Sequence, residues 1–112
     1  MARVFITQQQ HNFDFSQAED YGKMVAIWGP SQQAWGDTSF IVDSARRTLA
    51  DFNADEDYLL LMGDPALMAI ASAEVSHLTD GQFKLLKWDR RKPGTTNGGY
   101  RVVEVDMEAQ PK

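Results

Sequence analysis

The chain contains no cysteine. That excludes disulfides, thiolate zinc sites, iron–sulfur ligation and a cysteine nucleophile, and the lack of disulfides fits a reducing compartment. Histidine occurs only at His11 and His77, neither at metal-ligand spacing to a partner, so no metal is expected. No apolar run approaches the roughly 20 residues of a membrane-spanning helix, and Met1-Ala2-Arg3-Val4-Phe5-Ile6-Thr7 turns polar too soon for a signal peptide. Internal repeats and low-complexity tracts are absent. The Gly- and Pro-rich stretches are too short for interdomain linkers. What is left is one domain over residues 1–112, with no membrane partner. Of these residues 43% are hydrophobic, and a chain of this length buries roughly two-thirds of its unfolded surface without staples.

The net charge of -5 hides a segregation. Residues 1–80 carry 4 basic and 12 acidic side chains, whereas residues 81–101 carry 6 basic ones (Lys84, Lys87, Arg90, Arg91, Lys92 and Arg101) against Asp89 alone. DNA affinity rests on phosphate neutralisation by such groups, and an acidic body opposes it at long range. The basic segment reads first as a solvated, charged turn that discourages edge-to-edge aggregation.

Apolar patterning predicts the elements. Arg3 to Thr7 is a strand. Ser16-Gln17-Ala18-Glu19 has capping-box spacing and starts a short helical turn stopped by Gly22. Lys23 to Trp28 reads as a strand buried on both faces. Asp37 or Thr38 caps a helix to about Phe52, with Ile41, Ala45, Leu49 and Phe52 as its buried stripe. Tyr58 to Met62 is a central strand. Asp64 at N-cap and Pro65 at N1 open a helix to about Leu78, buried along Leu67, Ile70, Ala71, Val75 and Leu78. Gln82 to Trp88 alternates, with Phe83, Leu85 and Lys87 on one face and Lys84, Leu86 and Trp88 on the other. Tyr100 to Met107 is the last strand. Residues 90–99 form a long, mobile hairpin loop, and the tail 108–112 frays. The order β-β-α-β-α-β-β predicts an α/β domain: a five-stranded mixed sheet with two main helices, the third and fourth strands continuing a parallel part and the last hairpin adding an antiparallel edge. A two-layer α+β arrangement is the alternative.

No catalytic motif is present. There is no G-x-G-x-x-G, no G-x-x-x-x-G-K-[ST] and no G-x-S-x-G, so no catalytic residue and no cofactor are assigned. The turn Met62-Gly63-Asp64-Pro65 lies where an α/β sheet binds ligands, but Asp64 puts a carboxylate where an anion would sit and Pro65 removes a donor. It reads as an Asp-Pro helix start; Gly63 and Asp64 are the candidate ligand turn only if Asp64 binds a hydroxyl, an amine or a metal. Asp55, Glu56 and Asp57 precede a strand that Asp64 follows, about 17 Å away, which separates them as metal ligands. Phe13, Phe15 and Trp35 fall in loops, as lids or as an exposed patch of hot-spot type. Trp88 with Arg90, Arg91 and Tyr100 combines stacking and cationic groups as single-strand binders do, without an accompanying nucleic-acid-binding pattern.

Asp57-Tyr58-Leu59-Leu60-Leu61-Met62-Gly63-Asp64-Pro65, an Ala-rich helix, Lys84-Leu85-Leu86-Lys87-Trp88-Asp89-Arg90 and Tyr100-Arg101-Val102-Val103-Glu104-Val105-Asp106 together resemble a group of small proteins encoded by tailed bacteriophages. Those share an apolar strand ending in G-D-P, a helix, an L-K-W-D-R strand and a closing Y-x-V strand. Phe13-Asp14-Phe15 to Tyr21-Gly22 is similar too, while the longer Pro93 to Gly99 turn departs from the pattern. The resemblance implies a phage protein in the infected bacterial cytoplasm or in the virion, and carries no activity.

Three functions are expected in order. The first is a non-enzymatic protein that binds a host or viral protein, or itself, through Phe13, Phe15, Trp35, Lys84, Lys87, Trp88, Arg90, Arg91 and Tyr100. The second is a nucleic-acid accessory protein using the 84–101 hairpin, disfavoured by net charge. The third is a nucleotide- or metal-dependent enzyme at Gly63-Asp64; the sequence leans against an enzyme without deciding it. A homo-oligomer is expected through the last strand, apolar at Val102, Val103 and Val105 and unpaired at the edge.

Overall fold

The computed structural model describes residues 1–11 and 13–111. Lys112, part of the tail expected to fray, lies outside the described residues, as does Asn12 in the polar stretch after the first strand. Eight elements follow in order: β1 (Arg3–Gln8), α1 (Ser16–Glu19), β2 (Lys23–Trp28), α2 (Ser39–Leu49), β3 (Tyr58–Leu60), α3 (Pro65–Leu78), β4 (Gln82–Asp89) and β5 (Gly99–Asp106). They form one five-stranded mixed sheet of order β2-β1-β3-β4-β5, an α/β fold. β1 pairs in parallel with both β2 and β3, β3 pairs in parallel with β4, and β5 closes the sheet antiparallel to β4. No helix among the described residues is long and apolar enough to cross a membrane.

The connections decide what covers the sheet. From β2 to β3 and from β3 to β4 the chain steps the same way across the strands; from β1 to β2 it steps the other way. Right-handed crossovers therefore put α2 and α3 on one face and α1 on the opposite face. The core divides accordingly. Phe5, Leu59 and Phe83 pack with Ile41, Ala45, Leu49, Leu67, Ala71 and Val75 beneath the two long helices. Val4, Leu60, Leu86 and Tyr100 pack with Ala18 of α1 on the other side. Adjacent residues of β1 and β3 thus serve opposite layers, as the two-residue period of a strand requires.

Several sequence expectations are corrected. β2 is an edge strand, and its first four residues are exposed or half-buried; the strands buried on both faces are β1 and β3. An unbroken apolar run marks cover on two faces, and β2 obtains part of it from α2 and α1 while its outer edge stays free. The capping box does not form: Ser16 is already helical, and the Asp14 carboxylate accepts its N–H at 2.8 Å. At α2, Thr38 occupies the cap without a side-chain bond. Asp37 accepts both the N–H and the hydroxyl of Ser39, at 2.9 and 2.6 Å, and these hold its carboxyl below the ordinary range. α2 ends at Leu49, leaving Phe52 to close a turn on it (N–H to the Leu49 carbonyl, 2.9 Å) and to pack from the loop. Leu78 is exposed rather than buried, lying past the last turn that meets the sheet. α3 begins as expected, with Asp64 accepting the Ala66 N–H at 2.8 Å.

Candidate functional site

In a parallel sheet the chain leaves each strand on the same side, so the connections gather at the carboxyl edge. Here those connections follow β1, β2, β3 and β4. They bring Phe13 and Phe15, Trp35, Gly63 and Asp64, and Arg90 and Arg91 to one edge. Lys87 and Trp88 lie near the end of β4 there, and Tyr100, near the start of β5, stands opposite Trp88. Lys84 lies nearer the other end of β4. Its ammonium donates to the Asp55 carbonyl at 2.9 Å and covers the Tyr58 ring at 4.6 Å.

A crevice opens at this edge for a reason of strand length. β3 pairs with β4 only through Leu59↔Leu85 and Leu60↔Leu86, whereas β4 continues with β5 as far as Asp89↔Gly99. The hairpin therefore overhangs the end of β3. The resulting cavity, about 830 Å³, is lined by Leu60, Met62, Leu86, Trp88 and Tyr100 of the sheet and by Phe13, Asp14 and Gln17 before and within α1. Its size lies in the range of ligand clefts, roughly 300–1,000 Å³. The aromatic rings are held by one another. Phe13 stacks tilted on Phe15 at 4.7 Å, and Trp88 stands edge-on to Tyr100 at 5.1 Å. Gly98 makes the overhang's turn at φ +94°, where a Cβ would lie 2.7 Å from the Asp89 carbonyl oxygen and 2.8 Å from the Arg90 Cα.

Charge is arranged asymmetrically around the crevice. Arg101 is paired with Asp89 at 3.0 Å, and the Lys92 ammonium donates to the Tyr100 carbonyl at 2.7 Å. The Arg91 N–H first and Arg101 second hold the Asp89 carboxyl below its ordinary range. Lys87, Arg90 and Arg91 pair with no carboxylate among the described residues, and Lys87 lines the crevice. Asp14, on the α1 side, is the crevice's own carboxylate; the Ser16 N–H pulls it below the ordinary range. Burial, and then the Asp14 charge, push the Tyr100 phenol above its ordinary value. A folded value above the unfolded one means a stabilisation present below about pH 10 and lost as pH rises through the raised value. In an absorbance titration of the three tyrosines, one is expected to ionise last, and Tyr100→Phe is expected to remove that late step.

The Gly63-Asp64 turn sits beside β1, where the strand order reverses, and the protein fills that place itself. The buried Gln8 side chain accepts the Asp64 N–H at 2.9 Å and donates to the Gly29 and Gln32 carbonyls at 3.0 and 2.8 Å. Thr7 accepts the Met62 N–H at 2.7 Å and donates to the Met62 carbonyl at 2.5 Å. Gly63, at φ +93°, lies so close that a Cβ would stand 2.7 Å from the Gln8 Cβ. Both Asp64 oxygens are engaged, by the N–H groups of Ala66 (2.8 Å) and Ala34 (3.4 Å). Among the described residues no three His, Asp or Glu side chains group as metal ligands do; Asp57 is buried beneath Arg3 at the amino edge.

Of the residues singled out from the sequence, Phe13, Lys87, Trp88 and Tyr100 converge in the crevice, and Phe15 supports Phe13. Arg90 and Arg91 follow directly. Trp35, 80% exposed, stands apart beside the Asp64 turn, next to Ala34. Leu60, Met62, Leu86, Asp14 and Gln17 escaped sequence reading as site residues. The alternation of β4 already put Leu86 on the Trp88 face; nothing local signalled that β3 would stop short. Phe40, at 89% exposure, also escaped, since it stands one residue off the Ile41-Ala45-Leu49 stripe.

Fold and site define a small α/β protein with one of the two common doubly wound strand orders, closed by an antiparallel hairpin and carrying an apolar crevice with Lys87 in its wall at the carboxyl edge. The model of the family described as Phage Pam3 gp32-like protein matches residues 2–107, and the chain belongs to that phage protein family. No curated protein and no solved structure matches it.

Proposed function

We propose that this phage protein acts without catalysis, by docking a protein partner, viral or host, in the carboxyl-edge crevice. The observation that carries the reading is an apolar cavity of about 830 Å³, walled by Phe13, Trp88 and Tyr100 with Lys87 in its lining, and followed along the chain by Arg90 and Arg91 just past the end of β4. That pairing suits an amphipathic segment with an apolar anchor and flanking carboxylates, since aromatic pockets supply anchoring energy and charge complementarity supplies register and on-rate. The bacterial cytoplasm or the virion is the expected place of action. Nucleic acid is the second reading, favoured by the same cations beside Trp88. Against it stand the net charge of -5 and the burial of Tyr100, whose ring is closed to base stacking by Trp88 and the core.

Affinity capture of the tagged protein from infected cells, at low and moderate salt and with and without nuclease, tests both readings. A stoichiometric protein that survives nuclease and salt is expected. Its affinity, measured by calorimetry, is expected to fall about 30-fold with Trp88→Ala, as for truncation of an interface anchor, and several-fold with Arg90→Ala and Arg91→Ala combined. Recovery of nucleic acid alone, lost with salt, would replace the docking reading with the second.

A further inference from the structure

We infer that β5 pairs edge to edge with β5 of a second copy of this chain, antiparallel and centred on Val103. β5 ends the sheet, with no strand beyond it among the described residues. Its register with β4 is continuous over eight pairs, so no bulge turns the edge away, and it contains no proline. Of the devices by which natural edge strands discourage pairing, β5 carries only charge, at Arg101, Glu104 and Asp106. Val102 and Val103 are instead 41% and 37% exposed.

The backbone shows which groups face outward. The Met107 N–H donates to the Gly81 carbonyl at 2.9 Å, and these residues are opposite one another in the register that continues from Gln82↔Asp106. Hydrogen-bonded and non-hydrogen-bonded pairs alternate along an antiparallel ladder. Arg101, Val103 and Val105 therefore turn their backbone groups to β4, while Tyr100, Val102, Glu104 and Asp106 turn theirs to the free edge. At one end the Tyr100 carbonyl already accepts from the Tyr21 hydroxyl (3.0 Å) and the Lys92 ammonium (2.7 Å). At the other end the Asp106 carbonyl accepts the Ala109 N–H (3.2 Å). The window between them belongs to Val102 and Glu104 and is symmetric about Val103.

That window selects its partner and its register. A two-fold axis through a continuous sheet keeps each face on its own side, so a residue must meet one of the same face. Centring on Val102 would require the Tyr100 carbonyl, whose two lone pairs are occupied. Centring on Glu104 would place two glutamates directly opposite, which is destabilising. Centring on Val103 sets Val103 against Val103, Val102 against Glu104 and Arg101 against Val105. It leaves no like charges facing and satisfies the N–H and C=O groups of Val102 and Glu104 in both copies. The edge is self-complementary, and a second copy is the occupant that its own capping pattern fits.

The absence of cysteine makes the test clean. Sedimentation equilibrium over a concentration series is expected to show the mass doubling. Val103→Cys is expected to oxidise to a disulfide dimer, because opposed residues of a non-hydrogen-bonded pair have Cα atoms about 4.5 Å apart, within bridging range. Val105→Cys, displaced from its counterpart by about 13 Å along the strand, is not. Glu104→Pro removes only an outward N–H and leaves the β4 ladder bonded, so it is expected to give a monomer with an unchanged circular dichroism spectrum. A monomer at every concentration would overturn the inference. So would equal cross-linking at positions 103 and 105, or a folded Glu104→Pro that still dimerises. Should Glu104→Pro unfold, the contrast between the two cysteine variants decides alone.

Discussion

Truncating Phe5 to alanine is expected to destabilise the protein by about 3–5 kcal/mol, the usual cost of losing a buried phenylalanine and leaving a cavity. Phe5 is fully buried at the middle of β1, a strand with neighbours on both sides. Its ring lies tilted against Phe52 at 5.5 Å and belongs to the cluster beneath α2 and α3. The Arg3 guanidinium covers the ring at 4.8 Å. α2 and α3 already pack on each other over this face, with Arg46 and Glu74 paired at 3.6 Å between them, and the ladders on either side of β1 fix its backbone, so the gap closes only in part. Against a total stability of about 5–15 kcal/mol, typical of such domains, the loss is large. In urea denaturation it is expected as a lower midpoint at unchanged slope. Phe40→Ala, at a ring 89% exposed, is the contrast and is expected to stay within about 0.5 kcal/mol of the parent. A Phe5→Ala loss under about 1 kcal/mol would mean that the core does not close on β1.

The second large effect is expected at the amino edge. Asp57 is fully buried just ahead of β3. One carboxylate oxygen accepts the Arg3 N–H at 2.9 Å; the other accepts the Asn53 N–H at 2.8 Å and the Arg3 guanidinium at 2.9 Å. One side chain thus ties the start of β1 to the turn that follows α2. Asp57→Ala leaves two backbone donors without acceptors and is expected to cost about 3 kcal/mol, since each orphaned donor costs roughly 1–3 kcal/mol. The Arg3 guanidinium retains Asp51, at 3.0 Å to its carboxylate and 2.8 Å to its carbonyl, which limits the loss. Asp57→Asn keeps one acceptor in place and is expected to recover about half of it. Equal losses from the two variants, in the same urea experiment, would assign the effect to charge rather than to the hydrogen bonds.

The start of α3, the alternation of β4 and the antiparallel closing hairpin were legible because each follows from neighbouring residues. Asp64-Pro65 satisfies and pre-shapes a helix N-terminus within three residues. Phe83 to Trp88 alternates with the strand's own period, and the glycines at 94, 98 and 99 mark the turn. Legibility failed where the deciding contact was distant. Lys23 to Trp28 is as apolar as a central strand, yet β2 is at the edge, because β1 pairs on both sides and lies between it and β3. Ser16 and Glu19 have the spacing of a capping box, but Asp14 reaches the Ser16 N–H first. Phe13, Trp88 and Tyr100 each stood out as aromatics. Their convergence depended on a right-handed β1–β2 connection that carries α1 across to the second face, and on β3 ending at Leu60 while β4 runs on to Asp89.

The sequence by itself therefore determined the α/β class, the order of elements and the exclusion of thiol chemistry. These depend on composition, period and caps, which act over one or two turns of chain. Only the tertiary structure decided that Phe13, Trp88 and Tyr100 share one crevice with Lys87, that Asp64 and Gln8 fill the turn where a ligand was conceivable, and that the free edge opens at Val102 and Glu104. Each of those depends on which strands are neighbours and which backbone groups are already satisfied, and pairing between residues more than 50 positions apart, such as Thr7 with Met62, leaves no mark in local sequence.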